Sequence, residues 1–541
     1  MIEVEVHYSL HNFLRSHSEA AWHHHLTMAR LVARALRLGR SALIQVGAGS
    51  GYQGRYRLSY LAPALLWQEP VVLVATEQVQ QRLLRVDIPP LQQWLQTKKG
   101  IITGSSLPDP DFRGLLITTP EAWLTAQLQG KEDFPPNIPT LIDGVDDLED
   151  WVRTQLTVSI HPANWDELML ASPHQAEAIR EARVQLTKAV FEHPANPYEC
   201  YLISQPEQEI LSTLFERLGV TRAGGAGGAG GAGGAGGEFP NANPLAPRRA
   251  PLAPPFLPSA WWNFWQRWQM KHQLTSVSVS RYNGSFSLYC APAEVASDLA
   301  PIWSRQPVVL IGSALDQETE ATIYRTRMGL PQLTCLKFAG DRHNELIQLY
   351  LPDQFPLPNT PQFQVALMQH LHALMSIKAT VPGLTVVLIG DTPLKSQVGT
   401  TLAAEFGSRV QVEKICSDEN GILISSWEFW RQHQDVLPDP RLIVIPTLPL
   451  PSLENPLVAG RVDYYKQKRQ DWFRLYLLPT ALNELARAIA PVRNRQGVVA
   501  LLDSRVLHRS YGQQVLAALS PLARTNYLDS SLFSQSSDPN S

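Results

Sequence analysis

Short apolar runs rich in β-branched residues recur along this chain with helix-length segments between them, on both sides of five consecutive Ala-Gly-Gly triplets. Before the triplets the runs fall at residues 41–46, 71–75, 115–119 and 140–143, separated by helical patterns such as 26–38 and 78–95. After them come 308–311, 385–389, 422–425, 442–445 and 498–502. Such alternation builds parallel sheets flanked by helices, and its return after the triplets predicts a second α/β unit of the same style. Residues 150–222 are helical in character and interrupt the first unit. The triplets at 223–237 and the proline-rich stretch after them cannot bury side chains, so 223–258 is expected to be a flexible tether.

Composition narrows the function classes. Hydrophobic residues make up 44% and charged residues 18%, which excludes a disordered chain. At 541 residues there is room for about three to four domains. The formal net charge of −3 gives no broad positive field, so any nucleic-acid contact must come from local basic surfaces. Cys200, Cys290, Cys335 and Cys416 form no CxxC pair and read as buried, reduced thiols rather than a zinc site or disulfide framework. The N-terminal MIEVEVHYSL carries acids where a secretory signal carries basic residues, and no run of 18 apolar residues follows. A cytoplasmic protein without a membrane partner is expected.

The most informative stretch is SALIQVGAGSGYQGRYRLSYLAPALLW, residues 41–67. A strand empties into a glycine-rich turn and then a helix, the geometry that aims backbone N–H groups and a helix N-terminus at phosphate. Gly47, Gly49, Gly51 and Gly54 supply the conformational freedom. A phosphate loop ends in Gly-Lys-Ser/Thr because lysine neutralises phosphate and the hydroxyl ligates magnesium. Gly49 and Gly54 fit the outer glycines, but Arg55 and Tyr56 stand where lysine and the hydroxyl residue belong. The turn is one residue longer than usual, so Arg55 and Tyr56 are both candidates for the lysine's place. A plain glycine-rich strand-to-helix turn is the competing reading.

Further stretches follow in a recognisable order: VVLVATEQVQQRLLRVDIPPLQQWL (71–95), GLLITTPEAWL (114–124), LIDGVDDLEDW (141–151), VVLIGSALD (308–316), LYLPDQFPLPN (349–359), TVVLIGDTPLKSQVGTTL (385–402), ISSWEFWRQ (424–432), LIVIPTLPLPSLENPLVAGR (442–461) and GVVALLDSRVLHRSYGQQVLAALSP (497–521). In order and spacing they resemble the motifs of DinG/XPD-type superfamily 2 DNA helicases. The resemblance implies two RecA-like P-loop lobes with parallel sheets. It places the first part of lobe 1 at 1–151, a helical arch-like insertion at 152–290, the return of lobe 1 at 291–340, lobe 2 at 341–527 and a disordered tail at 528–541.

By the same resemblance the implied function is ATP-dependent DNA unwinding in DNA repair, with ATP and magnesium as cofactors, single-stranded DNA as partner and a monomeric chain. Phosphate contacts would come from Gly47, Gly49, Gly51, Gly54, Arg55 and Tyr56, and magnesium would be held through water by Asp143. Thr76, Ser313 and Trp427 would meet nucleic acid. Departures from the pattern are as informative. Gly144 occupies the position of the glutamate that orients the attacking water. Asp146, Asp147 and Glu149 lie nearby and read as a solvated acidic turn. The stretch LARAIAPVRN (485–494) replaces the motif whose arginines stabilise transferring phosphate, leaving Arg493 as the candidate catalytic arginine and Arg487 as an outside one. Residues 55–142 contain no cysteine, so the family's iron–sulfur cluster is not expected. A motor with rewired catalytic groups, a pseudo-helicase that binds single strands without hydrolysis, and a scaffold therefore all remain open.

Two other features have competing readings. Trp261, Trp262, Trp265 and Trp268 could stack bases beside Arg267 and Lys271, but their spacing more simply makes a buried helix face. His23, His24 and His25 are consecutive, so on a helix they point apart and cannot converge on one metal ion.

Overall fold

A computed structural model of the chain describes residues 2–17, 22–131, 133–220, 257–341, 344–378, 381–415 and 418–533. Cys416 and all but the last two residues of the expected tether lie outside them. The chain divides into two compact units, one of residues 1–155, 295–451 and 471–541, the other of 156–294 and 452–470.

Five strands open the chain: β1 (Ala42–Gln45), β2 (Val71–Val74), β3 (Ile101–Thr103), β4 (Leu115–Thr118) and β5 (Thr140–Asp143). The second unit then supplies β6 (Val158–Ile160), β7 (Cys200–Leu202), β8 (Gln273–Ser280) and β9 (Ser285–Pro292). The first unit resumes with β10 (Val308–Gly312), β11 (Thr334–Lys337), β12 (Ile347–Tyr350), β13 (Leu384–Leu388), β14 (Val410–Val412), β15 (Ile422–Ser425), β16 (Pro440–Ile445), β17 (Val498–Leu501) and β18 (Leu522–Thr525).

The first unit holds two seven-stranded parallel sheets, β11-β1-β10-β5-β2-β4-β3 and β14-β15-β13-β16-β17-β12-β18. These are the two α/β lobes expected. Their central strands are buried end to end because helices cover both faces, which is why they read as largely apolar runs. In β13, Leu384, Val386 and Leu388 enter one core while Val387 and its neighbour Ile389 enter the other. Each such side chain contributes roughly 1.5–3 kcal/mol by leaving water. Of the strands not read from sequence, β3, β11, β14 and β18 are short and partly exposed at sheet edges, where the apolar signal thins, while β12 is a short, mostly buried strand inside its sheet.

The second unit differs from a purely helical insertion. Its helices pack on a four-stranded antiparallel sheet, β6-β9-β8-β7, whose β9 alternates buried and half-buried residues. Trp261, Phe264 and Trp265 are core residues there, with Trp261 edge-on to Trp165 at 4.7 Å, so the tryptophan helix serves packing. The helix Pro456–Gln467, placed by sequence in lobe 2, belongs to this unit. Gly460 permits that packing, since a Cβ there would come within 3.0–3.1 Å of Leu274 and Leu202. The chain also stays packed beyond 527: a turn at Ser530–Phe533 buries Leu532 and Phe533 in the lobe 2 core. Residues 528–533 of the expected tail thus belong to lobe 2, and the rest of it lies outside the described residues.

Candidate nucleotide cleft and nucleic-acid face

The glycine-rich turn leaves the carboxyl end of β1, where parallel α/β sheets place ligands. Gly47 and Gly54 take φ of +84° and +66°, values that suit glycine. Between them Ala48–Gly51 and Tyr52–Gly54 coil into two short helical turns before the helix Leu58–Leu66. The N–H of Gly51 bonds Gly47 O at 2.8 Å, and that of Tyr52 bonds Ala48 O. A phosphate nest needs such N–H groups aimed outward, and of the cradle expected from Gly47, Gly49, Gly51 and Gly54 the N–H of Gly51 is turned inward, as is that of Tyr52 after it. Packing accounts for two of these glycines. A Cβ on Gly49 would lie 2.7 Å from the Glu345 carboxyl, and one on Gly51 would lie 2.5 Å from Ser313 Cβ. Ser50 Oγ donates to Glu345 Oε1 at 3.3 Å, and burial pushes the Glu345 carboxyl above its usual range.

At the end of β5, Asp143 is almost fully buried and its carboxylate is occupied. Oδ1 accepts the Tyr56 hydroxyl, and Oδ2 accepts the Tyr60 hydroxyl at 2.9 Å and Arg57 Nε at 3.2 Å. Burial, then the nearby Asp143 charge, holds both phenols well above their ordinary pKa, so they stay protonated donors. Burial alone would lower Arg57, but the Asp143 carboxylate together with Tyr60 and Tyr56 outweighs it and leaves the guanidinium more firmly protonated than usual. A carboxylate with both oxygens engaged and its charge matched by a buried arginine is not the water-facing ligand that magnesium requires. The residues present do not fit a magnesium–nucleotide pair in the usual arrangement. Arg57 and Tyr60 were not among the candidates from sequence. Their signal was the spacing, since Tyr56 and Tyr60 sit four residues apart and share a helical face.

The acidic turn after β5 is built in rather than solvated. Asp146 accepts three bonds from the loop after β10: Ser313 N at 2.7 Å, Ser313 Oγ at 2.8 Å and Ala314 N at 2.9 Å. Asp147 accepts both ends of the Arg487 guanidinium at 2.6 and 3.0 Å, and Glu149 pairs with Arg153 and Arg327. Gly144 has φ +81°, a left-handed conformation that a glutamate would adopt only under strain.

Polar contacts tie the two lobes together around this turn. Besides Arg487 on Asp147, Arg55 donates to Asn494 Oδ1 at 2.5 Å, Tyr52 OH to Asp439 Oδ1 at 3.1 Å and Asn483 Nδ2 to Ala314 O at 2.9 Å. Arg493 is buried and its guanidinium donates to the carbonyls of Glu345, Leu519, Ser520 and Pro521 at 2.7–3.2 Å. Desolvation lowers its pKa to about 10 although Glu345 acts to raise it. Arg493 thus fastens four main-chain carbonyls and lies away from the cleft lining, whereas Arg487 lines the cleft.

The cleft has a volume of about 790 Å³, and Arg57, Arg82, Arg85, Arg431 and Arg487 supply its positive side chains. Thr76 and Ser313 open onto it from the ends of β2 and β10. Trp427, half-buried after β15, stands beside Gly390 in lobe 2 and does not join them in the lining. The three histidines diverge: His23 meets Asp341, His24 stacks on Phe338, and His25 is buried on Ser59. No helix among the described residues is long and apolar enough to cross a membrane.

Comparison with known proteins agrees with this architecture. Residues 435–522 match the helicase C-terminal domain family. The ATP-dependent DNA helicase YoaA of Escherichia coli (strain K12) is 24% identical over 269 residues, 44% of this chain and 40% of that protein. YoaA of Haemophilus influenzae is 29% identical over 140 residues, 25% of this chain and 22% of that protein. The matched regions therefore span less than half of these relatives' length. An XPD helicase structure superposes with a TM-score of 0.57 at 12% identity, covering 93% of this chain and 99% of the other. A structure of apo XPD gives 0.55 at 12% identity, covering 92% and 100%.

Proposed function

We propose that this chain is a pseudo-helicase of the DinG/XPD type, a single-stranded-DNA-binding module that does not turn over ATP; the helicase C-terminal match at 435–522, the likeness to YoaA and the XPD-like fold support the family. The observation that carries the reading is the Asp143 carboxylate, engaged by Tyr56, Tyr60 and Arg57. The inward-bonded N–H groups of Gly51 and Tyr52 and the glycine at 144 support it independently. Losing one base or one arginine finger commonly costs three or more orders of magnitude in rate.

A rewired motor would need Arg55 free to meet phosphate and Asp146 free to orient water. Arg55 is instead bonded across the lobes to Asn494, and Asp146 holds the loop at Ser313. Single-strand binding would use the ends of the parallel strands, with Thr76, Ser313 and Trp427 as contacts and exposed Arg82 and Arg85 as phosphate partners. With both lobes already joined, nucleotide adds nothing to DNA affinity.

The test is ATP hydrolysis by the purified chain with and without single-stranded DNA, alongside DNA binding across a salt series. No stimulated turnover, with salt-sensitive binding indifferent to nucleotide, is expected. DNA-stimulated hydrolysis that an Asp143→Asn variant abolishes while still folded overturns the proposal.

A further inference from the structure

Lobe 2 carries a second recess, none of whose lining residues lines the cleft. It lies where the helix Pro361–Lys378 ends and β13 and β15 begin, and it has a volume of about 560 Å³. Lys378 and Thr385 are its buried polar groups, and Arg409, Asp418 and Asn420 stand exposed around it.

Its polar groups are mostly donors. Thr385 alternates along β13 onto the same face as Val387 and is fully buried, yet its Oγ1 has no hydrogen-bond partner. A buried hydroxyl left unpaired costs roughly 1–3 kcal/mol. Lys378 is buried with its ammonium on a single acceptor, Gly383 O. Asn420 Oδ1 is taken by Gly383 N at 3.0 Å, which leaves its amide NH₂ as the outward-facing half. Arg409 spends one nitrogen on Asn420 O at 2.9 Å.

Charge points the same way. Lys378 loses basicity first through burial and then through Arg409 and Arg441, against the opposing pull of Asp418, and its pKa falls to about 8. Three cations thus act here against one carboxylate. A recess lined by donors with surplus positive charge is complementary to an acceptor-only, negatively charged group.

We propose that this recess is a binding site for a phosphate-bearing anion, held by Lys378, Thr385, Arg409 and Asn420. The site is independent of the nucleotide cleft, so it stands whether or not the chain hydrolyses ATP. Inorganic phosphate and a phosphate monoester share the required chemistry.

The experiment titrates the full chain with inorganic phosphate and, separately, with adenosine monophosphate, at constant ionic strength. In parallel, amine labelling of Lys378 is followed by peptide mass spectrometry. Saturable binding that slows Lys378 labelling is expected, weakened at least tenfold by Lys378→Met and by the exposed, fold-neutral Arg409→Gln. Because a bound anion favours the protonated ammonium, affinity should fall as pH rises from about 8 to 9.5, a range in which the phosphate's own charge no longer changes. Binding of phosphate alone identifies the free ion, and binding of both identifies a monoester site. No binding, or binding that leaves Lys378 labelling and the Arg409→Gln titration unchanged, overturns the proposal.

Discussion

Replacing Asp143 with alanine separates a structural carboxylate from a metal-binding one through stability rather than activity. The substitution strands the buried Arg57 guanidinium and removes the acceptor of two buried phenols. Breaking a buried ion pair by deleting one partner costs roughly 3–5 kcal/mol, and each lost hydrogen bond adds about 1 kcal/mol. A total near 5 kcal/mol in a lobe of this size, at about 2–4 °C per kcal/mol, lowers the melting midpoint by on the order of 10 °C or more. Tyr60→Phe, which removes one donor and nothing else, should lose about 1 kcal/mol. Asp143→Asn keeps an acceptor for the phenols but not the charge, and should fall between. Thermal melting and urea unfolding of the three variants provide the assay. A carboxylate held open for a metal gives the opposite pattern, because relieving an active-site charge is neutral or stabilising. If Asp143→Ala melts within a degree of the unchanged chain, the carboxylate is not tied into a buried network and is free to serve a metal.

Gly144→Glu restores the family's residue but places it at φ +81°, so it should cost about 1–2 kcal/mol and confer no ATP hydrolysis, measured by melting and phosphate release. His25 is buried on Ser59, and burial lowers its pKa to about 4. The folded chain therefore resists a proton that the unfolded chain takes up below about 6.5. Stability from this group is complete above that value and declines as pH falls toward 4, by about 2 kcal/mol at pH 5, and a His25→Gln variant should flatten the melting profile. Arg487→Ala and Asp147→Ala should couple in a double-mutant cycle by about 1–2 kcal/mol and broaden the distance distribution between fluorophores on the two lobes. Arg493→Lys should lower the melting midpoint by several degrees while leaving DNA affinity intact, because one ammonium cannot span four carbonyls.

Much of the fold was legible because burial on both faces writes itself into local sequence. The central strands β2, β4, β5, β10 and β13 stand out as fully buried, largely apolar runs, whereas the thin edge strands and the alternating β9 do not. The candidate site was legible only by position. Sequence placed Asp143, Gly144 and the glycine turn together, but pointed to Arg55 and Tyr56 as the phosphate-facing pair. The helix that follows turns Arg57 and Tyr60 toward Asp143 with Tyr56, and leaves Arg55 to lobe 2.

The sequence by itself determined two parallel α/β lobes, an intervening unit, and the absence of a glutamate after Asp143. Helix and strand periodicities are short-range, so a single chain carries them openly. Only the tertiary structure decided where the charges go. Asp143 meets partners 83–87 residues away, and Asp147 meets Arg487 across 340. Nothing local in the chain ties such residues together. Their pairing follows from strand order and from how the lobes meet, and it turns an acidic motif that resembles a magnesium site into a buried, neutralised part of the core.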